Sequence, residues 1–184
     1  MLDIQVRKLI DPSLEIIGAG LVRWGVTANQ LTWAGFAVGL LSGLCIVSNW
    51  FAGAFVCITF NRICDGLDGC VARAKGPTDV GGFLDIALDM IFYSTVPFAF
   101  AVQSPANQLA SAFLIYSFMG TGSSFLAYAV ISAKRGRIAD DDGKKSFFYS
   151  TGLIEGTETA IFLWLICLVP DYYPILAWAF GGLC

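Results

Sequence analysis

Four aspartates stand as two pairs in a short and otherwise mostly apolar part of the chain. Asp65 and Asp68 are three residues apart, and Asp85 and Asp89 are four apart. If each pair lies in a helix, both spacings place its two carboxylates on one face. Ionised side chains are costly at membrane depth and usually mark a functional site there. The two pairs therefore predict a metal site built from two consecutive helices.

The residues around the acids indicate what such a site would bind. Carboxylate oxygens are the ligands that Mg²⁺ and Mn²⁺ prefer, and two such ions about 4 Å apart clamp both sides of a phosphoryl displacement. Arg73 follows the first pair, and a guanidinium there can grip a diphosphate through paired hydrogen bonds. Gly69, Ala72 and Gly81 lack bulk, so a ligand can approach both helices closely. The residues alone predict a metal-dependent site for a phosphorylated substrate.

The composition of the chain is that of a membrane protein. Of its 184 residues, 57% are hydrophobic, and the mean hydropathy is +0.70, whereas soluble domains are about 45–50% apolar. The formal net charge of −3 does not suggest nucleic-acid binding. The chain has no histidine, so acid–base chemistry near neutral pH requires carboxylates or a metal that acidifies the nucleophile. The six cysteines form no C-x-x-C pair and are predicted to be packing residues.

The apolar segments predict an all-α protein, a polytopic membrane bundle of six transmembrane helices in one domain, 1–184. The predicted spans are about 31–47, 50 into the first acidic pair, 82–102, 109–131, 152–169 and 174–184. The last is shorter than the about 20 residues that a span needs, so the sixth helix is predicted to be truncated. Residues 1–25 predict an interfacial amphipathic helix and its connection to the bundle, which occupies 26–184.

The basic residues predict the orientation of the bundle. All eleven lysines and arginines fall in three clusters, which precede the first span, join the second to the third, and join the fourth to the fifth. The other connections carry none. By the positive-inside rule, the N-terminus and the acidic motif face the cytoplasm.

The two acidic segments together resemble the signature of the CDP-alcohol phosphatidyltransferase family, D-x-x-D-G-x-x-A-R followed by G-x-x-x-D-x-x-x-D. Its eight fixed positions are filled by Asp65, Asp68, Gly69, Ala72, Arg73, Gly81, Asp85 and Asp89. The segment 27–32 is similar to the P-N-x-x-T segment that precedes the family's first span. The segment 152–159 resembles a bacterial inner-membrane branch of the family.

This resemblance implies a multi-pass enzyme of phospholipid synthesis in the bacterial inner (cytoplasmic) membrane. Family members move a phosphatidyl or other substituted phosphate group from a CDP-alcohol to an acceptor hydroxyl and release CMP. In bacterial members the donor is usually CDP-diacylglycerol. The resemblance leaves the acceptor alcohol open: glycerol phosphate, serine, an inositol phosphate and a simple alcohol all fit.

The resemblance also implies roles for individual residues. Two Mg²⁺ or Mn²⁺ ions would be held by Asp65, Asp68, Asp85 and Asp89. Asp89 would also be the base that accepts the proton of the acceptor hydroxyl. The cytidine diphosphate would contact Gly69, Ala72, Arg73 and Gly81, with Asn29 and Thr32 as further contacts.

Three interpretations stay open from the sequence. The acceptor pocket could include Lys134, Arg135, Lys145, Glu155 and Glu158; alternatively, the basic residues only set topology and the glutamates only cap or pair. The G-x-x-x-G of Gly39 and Gly43 fits a helix contact or the face of a homodimer. Because membrane carboxylates also serve ion and proton transporters, a transporter is the alternative function.

Overall fold

The computed structural model describes residues 2–134 and 156–184, and within these ranges every regular element is helical. The α-helices are α1 (Leu2–Arg23), α2 (Ala28–Val47), α3 (Phe51–Lys75), α4 (Asp79–Gln103), α5 (Gln108–Lys134), α6 (Gly156–Leu168) and α7 (Tyr173–Leu183). Short 3₁₀ turns, Pro105–Asn107 and Pro170–Tyr172, precede α5 and α7. The all-α prediction is confirmed for the described residues.

Local sequence signals determine where α2 and α4 begin and where α3 ends. Thr27 and Gln30 form a capping box at the start of α2, with the Gln30 amide donating to Thr27 Oγ1 at 3.3 Å. Thr78 Oγ1 accepts a hydrogen bond from the Gly81 amide at 3.0 Å and starts α4. Between α3 and α4, Gly76 adopts a φ of 95°, which favours glycine. The sharp turn therefore follows from the sequence, and both acidic helices pack against α2.

Glycines allow α2 to pack closely against α3 and α4. A Cβ atom at Gly39 would lie 2.7 Å from the Phe92 ring and 3.0 Å from Asn61 Nδ2. A Cβ atom at Gly43 would lie 3.0 Å from Thr95 Cγ2. The G-x-x-x-G pattern is thus a helix contact within this chain. These two glycines give no support to a homodimer face.

The hydrophobic core lies beyond the acidic pairs and is built from residues of all helices from α2 to α7. The rings of Phe100 and Tyr173 stack with their centroids 3.9 Å apart. The Tyr173 hydroxyl lies 2.7 Å from the buried Ser111 hydroxyl, so its polar end is satisfied. This packing anchors the half of α4 that lies away from the site.

The helices agree in position with the six predicted spans, but the number of crossings is not confirmed. By length and composition, α2, α4 and α5 with its preceding turn (Pro105–Ile131) can cross a membrane. The pair α6 and α7 qualifies only together and is bent by 113°. Among the described helices this gives three spans, or four if the bent pair counts as one. The second predicted span corresponds to α3, which carries Arg62 as well as its acidic pair.

The N-terminal segment is helical, as predicted, and α1 packs on the helix that carries the first acidic pair. A Cβ atom at Gly66 would lie 2.8 Å from Leu14, and one at Gly18 would lie 3.0 Å from Cys70. Ile16 and Ile17 are exposed on α1. An interfacial position would cover these side chains with lipid, but that position stays a prediction.

Candidate metal and nucleotide site

The structure brings the four aspartates of the two pairs together at one pocket. The pocket lies between α2, α3 and α4 and is lined by Thr32, Gly35, Phe36, Asn61, Asp65, Asp68, Asp85, Leu88 and Asp89. Helical spacing accounts for this arrangement, because the two carboxylates of each pair lie on one face of their helix and that face lines the pocket. The predicted clustering is therefore observed, while the roles of the acids stay predictions.

The environments of the four acids differ from the floor of the pocket to its rim. Asp68 is only 5% exposed, and the Thr32 hydroxyl donates to its Oδ2 at 2.6 Å. The side chain of Asp65 is 37% exposed and that of Asp89 is 22% exposed. Asp85 is exposed. A ligand that enters from solvent would meet Asp85 first and Asp68 last.

Arg62 is the residue of this cluster that the sequence analysis missed. Its Nη1 donates to Asp89 Oδ2 at 3.2 Å, and its Nη2 donates to Asp89 Oδ1. The same Nη1 lies 3.7 Å from Asp65 Oδ2, a residue three positions later on the same helix. Sequence analysis counted Arg62 only among the basic residues that set topology. The usable signal was a lone arginine inside an apolar helix, one turn before an acid.

The four carboxylates are the right type of ligand for a hard divalent cation, but their oxygens do not point toward one common position. Four carboxylates around one pocket are the ligands that Mg²⁺ and Mn²⁺ prefer. Yet within residues 2–134 and 156–184 no three acidic or cysteine side chains are close enough to hold an ion as they stand. Carboxylates repel one another, and Asp89 is turned onto Arg62. Ion binding therefore requires the carboxylate oxygens of this set to come closer together.

The residues predicted for the cytidine diphosphate lie in two groups beside the acids. Asn29 and Gly81 adjoin each other, since a Cβ at Gly81 would lie 3.2 Å from Asn29 Oδ1. Gly69 adjoins the exposed Arg73, whose Nη1 would be 3.3 Å from a Cβ there. Ala72 is partly buried on the same turn as Arg73. A side chain at either glycine would crowd these polar groups, so both positions suit close approach by a ligand.

The ends of the helices around these groups are tied together. Lys75 Nζ donates to the carbonyl of Val26 at 2.7 Å, joining the end of α3 to the turn before α2. The N-terminus of α2 and the N-terminus of α4 both lie at this side of the site, since Asn29 and Gly81 are in contact. Helix N-termini favour anions, so the arrangement suits a diphosphate.

The structure does not test the predicted acceptor residues. Lys134 is exposed at the end of α5, and Glu158 lies in the first turn of α6; neither is among the residues that line the acidic pocket. Arg135, Lys145 and Glu155 lie outside the described residues. Their proposed acceptor role stays a prediction.

All six cysteines are in the described part of the chain and are free thiols. Three of them, Cys64, Cys70 and Cys167, are buried. These three side chains pack inside the protein, whereas Cys184 is exposed; a packing role for all six stays a prediction.

A family model for CDP-alcohol phosphatidyltransferase matches residues 25–182. The chain belongs to the CDP-alcohol phosphatidyltransferase family. Inner membrane protein YnjF of Escherichia coli is 45% identical over 185 residues, which cover 100% of this chain and 90% of that protein. Archaetidylinositol phosphate synthase of Pyrococcus horikoshii is 33% identical over 99 residues, 53% of each protein. Family membership confirms the resemblance seen in the acidic motif and favours a CDP-alcohol phosphotransferase over an ion or proton transporter.

Proposed function

We propose that this protein is a transferase of the bacterial inner membrane that acts in phospholipid synthesis. It moves a phosphatidyl or other substituted phosphate group from a CDP-alcohol to the hydroxyl of an acceptor alcohol, and it releases CMP. The observation that carries the proposal is the single pocket in which α3 and α4 present Asp65, Asp68, Asp85 and Asp89. Family membership supports the reaction class. The 45% identity to an inner membrane protein supports the location.

The metal requirement follows from the chemistry of the donor set. Asp65, Asp68 and Asp85, with Asp89 completing a second site, would hold two Mg²⁺ or Mn²⁺ ions once their oxygens come closer together. Bound there, the ions would polarise the phosphoryl oxygens and neutralise developing charge. The acids alone would repel the anionic diphosphate, so they need this compensation before a donor binds.

The donor is proposed to lie with its nucleotide end at the cluster of Gly69, Arg73, Asn29 and Gly81. Arg73 grips the diphosphate through charged hydrogen bonds. Phe36 lines the same pocket and Trp33 is exposed one turn before it. Phe36 gives the pocket an apolar side toward α2, and the exposed Trp33 adds apolar surface outside it, which suits the acyl chains of CDP-diacylglycerol.

The residues of the chain also account for proton movement in the transfer. The acceptor oxygen attacks the phosphorus that carries the alcohol, a new P–O bond forms, and the bond to the CMP oxygen breaks. Asp89 takes the proton from the attacking hydroxyl, because it lines the pocket and no histidine is present. Thr32 holds Asp68 in place from the opposite helix.

An inositol phosphate is the acceptor that we propose first. The support is the name of the relative from Pyrococcus horikoshii, an archaetidylinositol phosphate synthase, which aligns with 53% of this chain. Glycerol phosphate, serine and a simple alcohol are the alternatives.

CMP release by the purified protein tests the proposal. CDP-diacylglycerol is supplied with each acceptor in turn, in Mg²⁺, in Mn²⁺ and in a chelator. Asp68→Asn is the inactive comparison, and Asp79→Asn is its matched control, because Asp79 is exposed in the first turn of α4 and does not line the pocket. CMP release that needs both donor and acceptor supports the transferase. Its absence with every acceptor would contradict the proposal.

A further inference from the structure

Residues of three helices form the environment that holds the guanidinium of Arg62. Its Nε donates to Asn61 Oδ1 at 2.8 Å, while Asn61 Nδ2 donates to the carbonyl of Gly35 on α2 at 2.9 Å. Its Nη1 donates to the Tyr93 hydroxyl on α4 at 2.7 Å. The remaining donors reach both oxygens of Asp89. Every nitrogen of the guanidinium therefore has a partner.

Aromatic rings hold the plane of the same guanidinium. Its Cζ lies 4.9 Å from the centroid of the Phe92 ring and 5.0 Å from that of the Tyr93 ring. Such cation–π contacts are stronger where water is excluded, and the Arg62 side chain is only 11% exposed. A side chain held by hydrogen bonds and by ring faces keeps one rotamer, so the contact of Arg62 with the acids is a fixed part of the fold.

Arg62 lies behind the acids rather than in the space between them. It is absent from the residues that line the pocket, whereas Asp65 and Asp89 line it and also face Arg62. A carboxylate has about four lone-pair sites. The two hydrogen bonds from Arg62 use one site on each oxygen of Asp89, so each oxygen keeps a further site for a ligand or a proton. The grip fixes Asp89 without blocking it.

We propose that Arg62 is a positioning residue of the transfer reaction. It holds Asp89 in one orientation at the pocket, and it supplies a fixed positive charge that lets four aspartates lie together before any ion binds. The first part rests on the proposed function, since it takes Asp89 as the proton acceptor. The second part concerns the protein by itself and can be measured without turnover.

Two substitutions separate charge from geometry. Arg62→Gln removes the charge, whereas Arg62→Lys keeps the charge but loses the planar fork that spans both Asp89 oxygens. We expect the rate constant at saturating donor to fall about 10- to 100-fold in Arg62→Gln, the usual cost of losing a residue that orients a metal-site group. Arg62→Lys should lose less, and donor KM should change little in both. Tyr93→Phe keeps the ring face and removes the hydroxyl that accepts from Arg62, so it should lose less than Arg62→Gln. Arg23→Gln is the matched control, because Arg23 is exposed and does not line the pocket.

A double-mutant cycle with Asp89→Asn tests whether Arg62 acts through Asp89. If it does, Arg62→Gln should cause no further loss of rate in the Asp89→Asn background. Thermal melting without substrate gives the second cycle: the double variant, with both charges removed, should melt at a higher temperature than Arg62→Gln alone. This comparison also serves if Arg62→Gln by itself folds poorly.

Melting with added Mn²⁺ tests the role of the fixed charge. A divalent cation can replace the missing positive charge, so Mn²⁺ should raise the Tm of Arg62→Gln by more than it raises the Tm of the wild type. Equal Mn²⁺ shifts, or effects of the two substitutions that simply add, would overturn the proposal. A wild type that releases no CMP with any acceptor would instead contradict the proposed function, and the melting cycle would still decide whether Arg62 holds Asp89.

Discussion

Substituting Asp89→Asn separates the chemistry of this site from its stability. Asparagine matches aspartate in shape, but it cannot take a proton and it presents an NH₂ group where one oxygen stood. If Asp89 is the base for the acceptor hydroxyl, the single-turnover rate at saturating donor should fall by about 10²–10⁴-fold, the usual contribution of such a group. Donor affinity should remain close to that of the wild type.

The structure also gives the expected cost in stability. Arg62 loses its bidentate partner, and breaking a buried ion pair from one side costs about 3–5 kcal/mol. Asp65 lies 3.7 Å from Arg62 Nη1 and remains as a partial partner, so we expect a cost near the lower end, about 3 kcal/mol. Thermal or chemical melting of the purified variant in detergent measures it, with Asp79→Asn as the control that should behave like the wild type.

The decisive comparison for Asp89 is donor affinity against the rate at saturation. A collapse of donor affinity with a preserved saturated rate would show that Asp89 only holds the site together. A stability equal to that of the wild type would contradict the ion pair with Arg62.

Three further predictions follow from the described contacts. Asp68→Asn and Asp85→Asn should each abolish metal-dependent turnover, and near-normal CMP release by either purified variant would contradict the dimetal proposal. Arg73→Ala should weaken the donor by about 1.5–3 kcal/mol, the cost of a lost charged hydrogen bond, with acceptor KM unchanged; kinetics with each substrate varied in turn would show an unaltered donor constant if Arg73 has no such role. Gly39→Leu should destabilise the protein by about 1–3 kcal/mol, because a Cβ atom there would lie 2.7 Å from the Phe92 ring. The control is Gly120→Ala, because a Cβ atom there would meet nothing within 4 Å. Thermal melting compares the two variants, and equal stability would refute the close contact at Gly39.

The acidic site was largely predictable because its signal is local. The spacings of Asp65 with Asp68 and of Asp85 with Asp89 set both pairs on helix faces whatever the rest of the chain does. The turn that joins the two helices is also local, since Thr78 caps α4 and Gly76 takes a positive φ. Two short-range patterns were thus enough to predict that the carboxylates cluster, while the packing of both helices on α2 completes the pocket.

The position and contacts of the Arg62 side chain were not predictable because its partners come from distant parts of the chain. Asp89 is 27 residues away and Tyr93 is 31 residues away. Only the packing of α2 against α3 and α4 decides that this arginine points inward rather than to a membrane surface. The bend of 113° between α6 and α7 is a tertiary property of the same kind. Pro170 and Pro174 predict that the helix is interrupted here, but they do not predict the angle.

The most direct test of the central claim is CMP release by the purified wild-type protein. The assay supplies CDP-diacylglycerol and an inositol phosphate, with Mg²⁺ or Mn²⁺ present in one arm and chelated in the other. The proposed function predicts CMP release that requires the donor, the acceptor and the divalent cation together, and that disappears in Asp68→Asn but not in Asp79→Asn. CMP release that persists in the chelator, or that is lost equally in both variants, would contradict it.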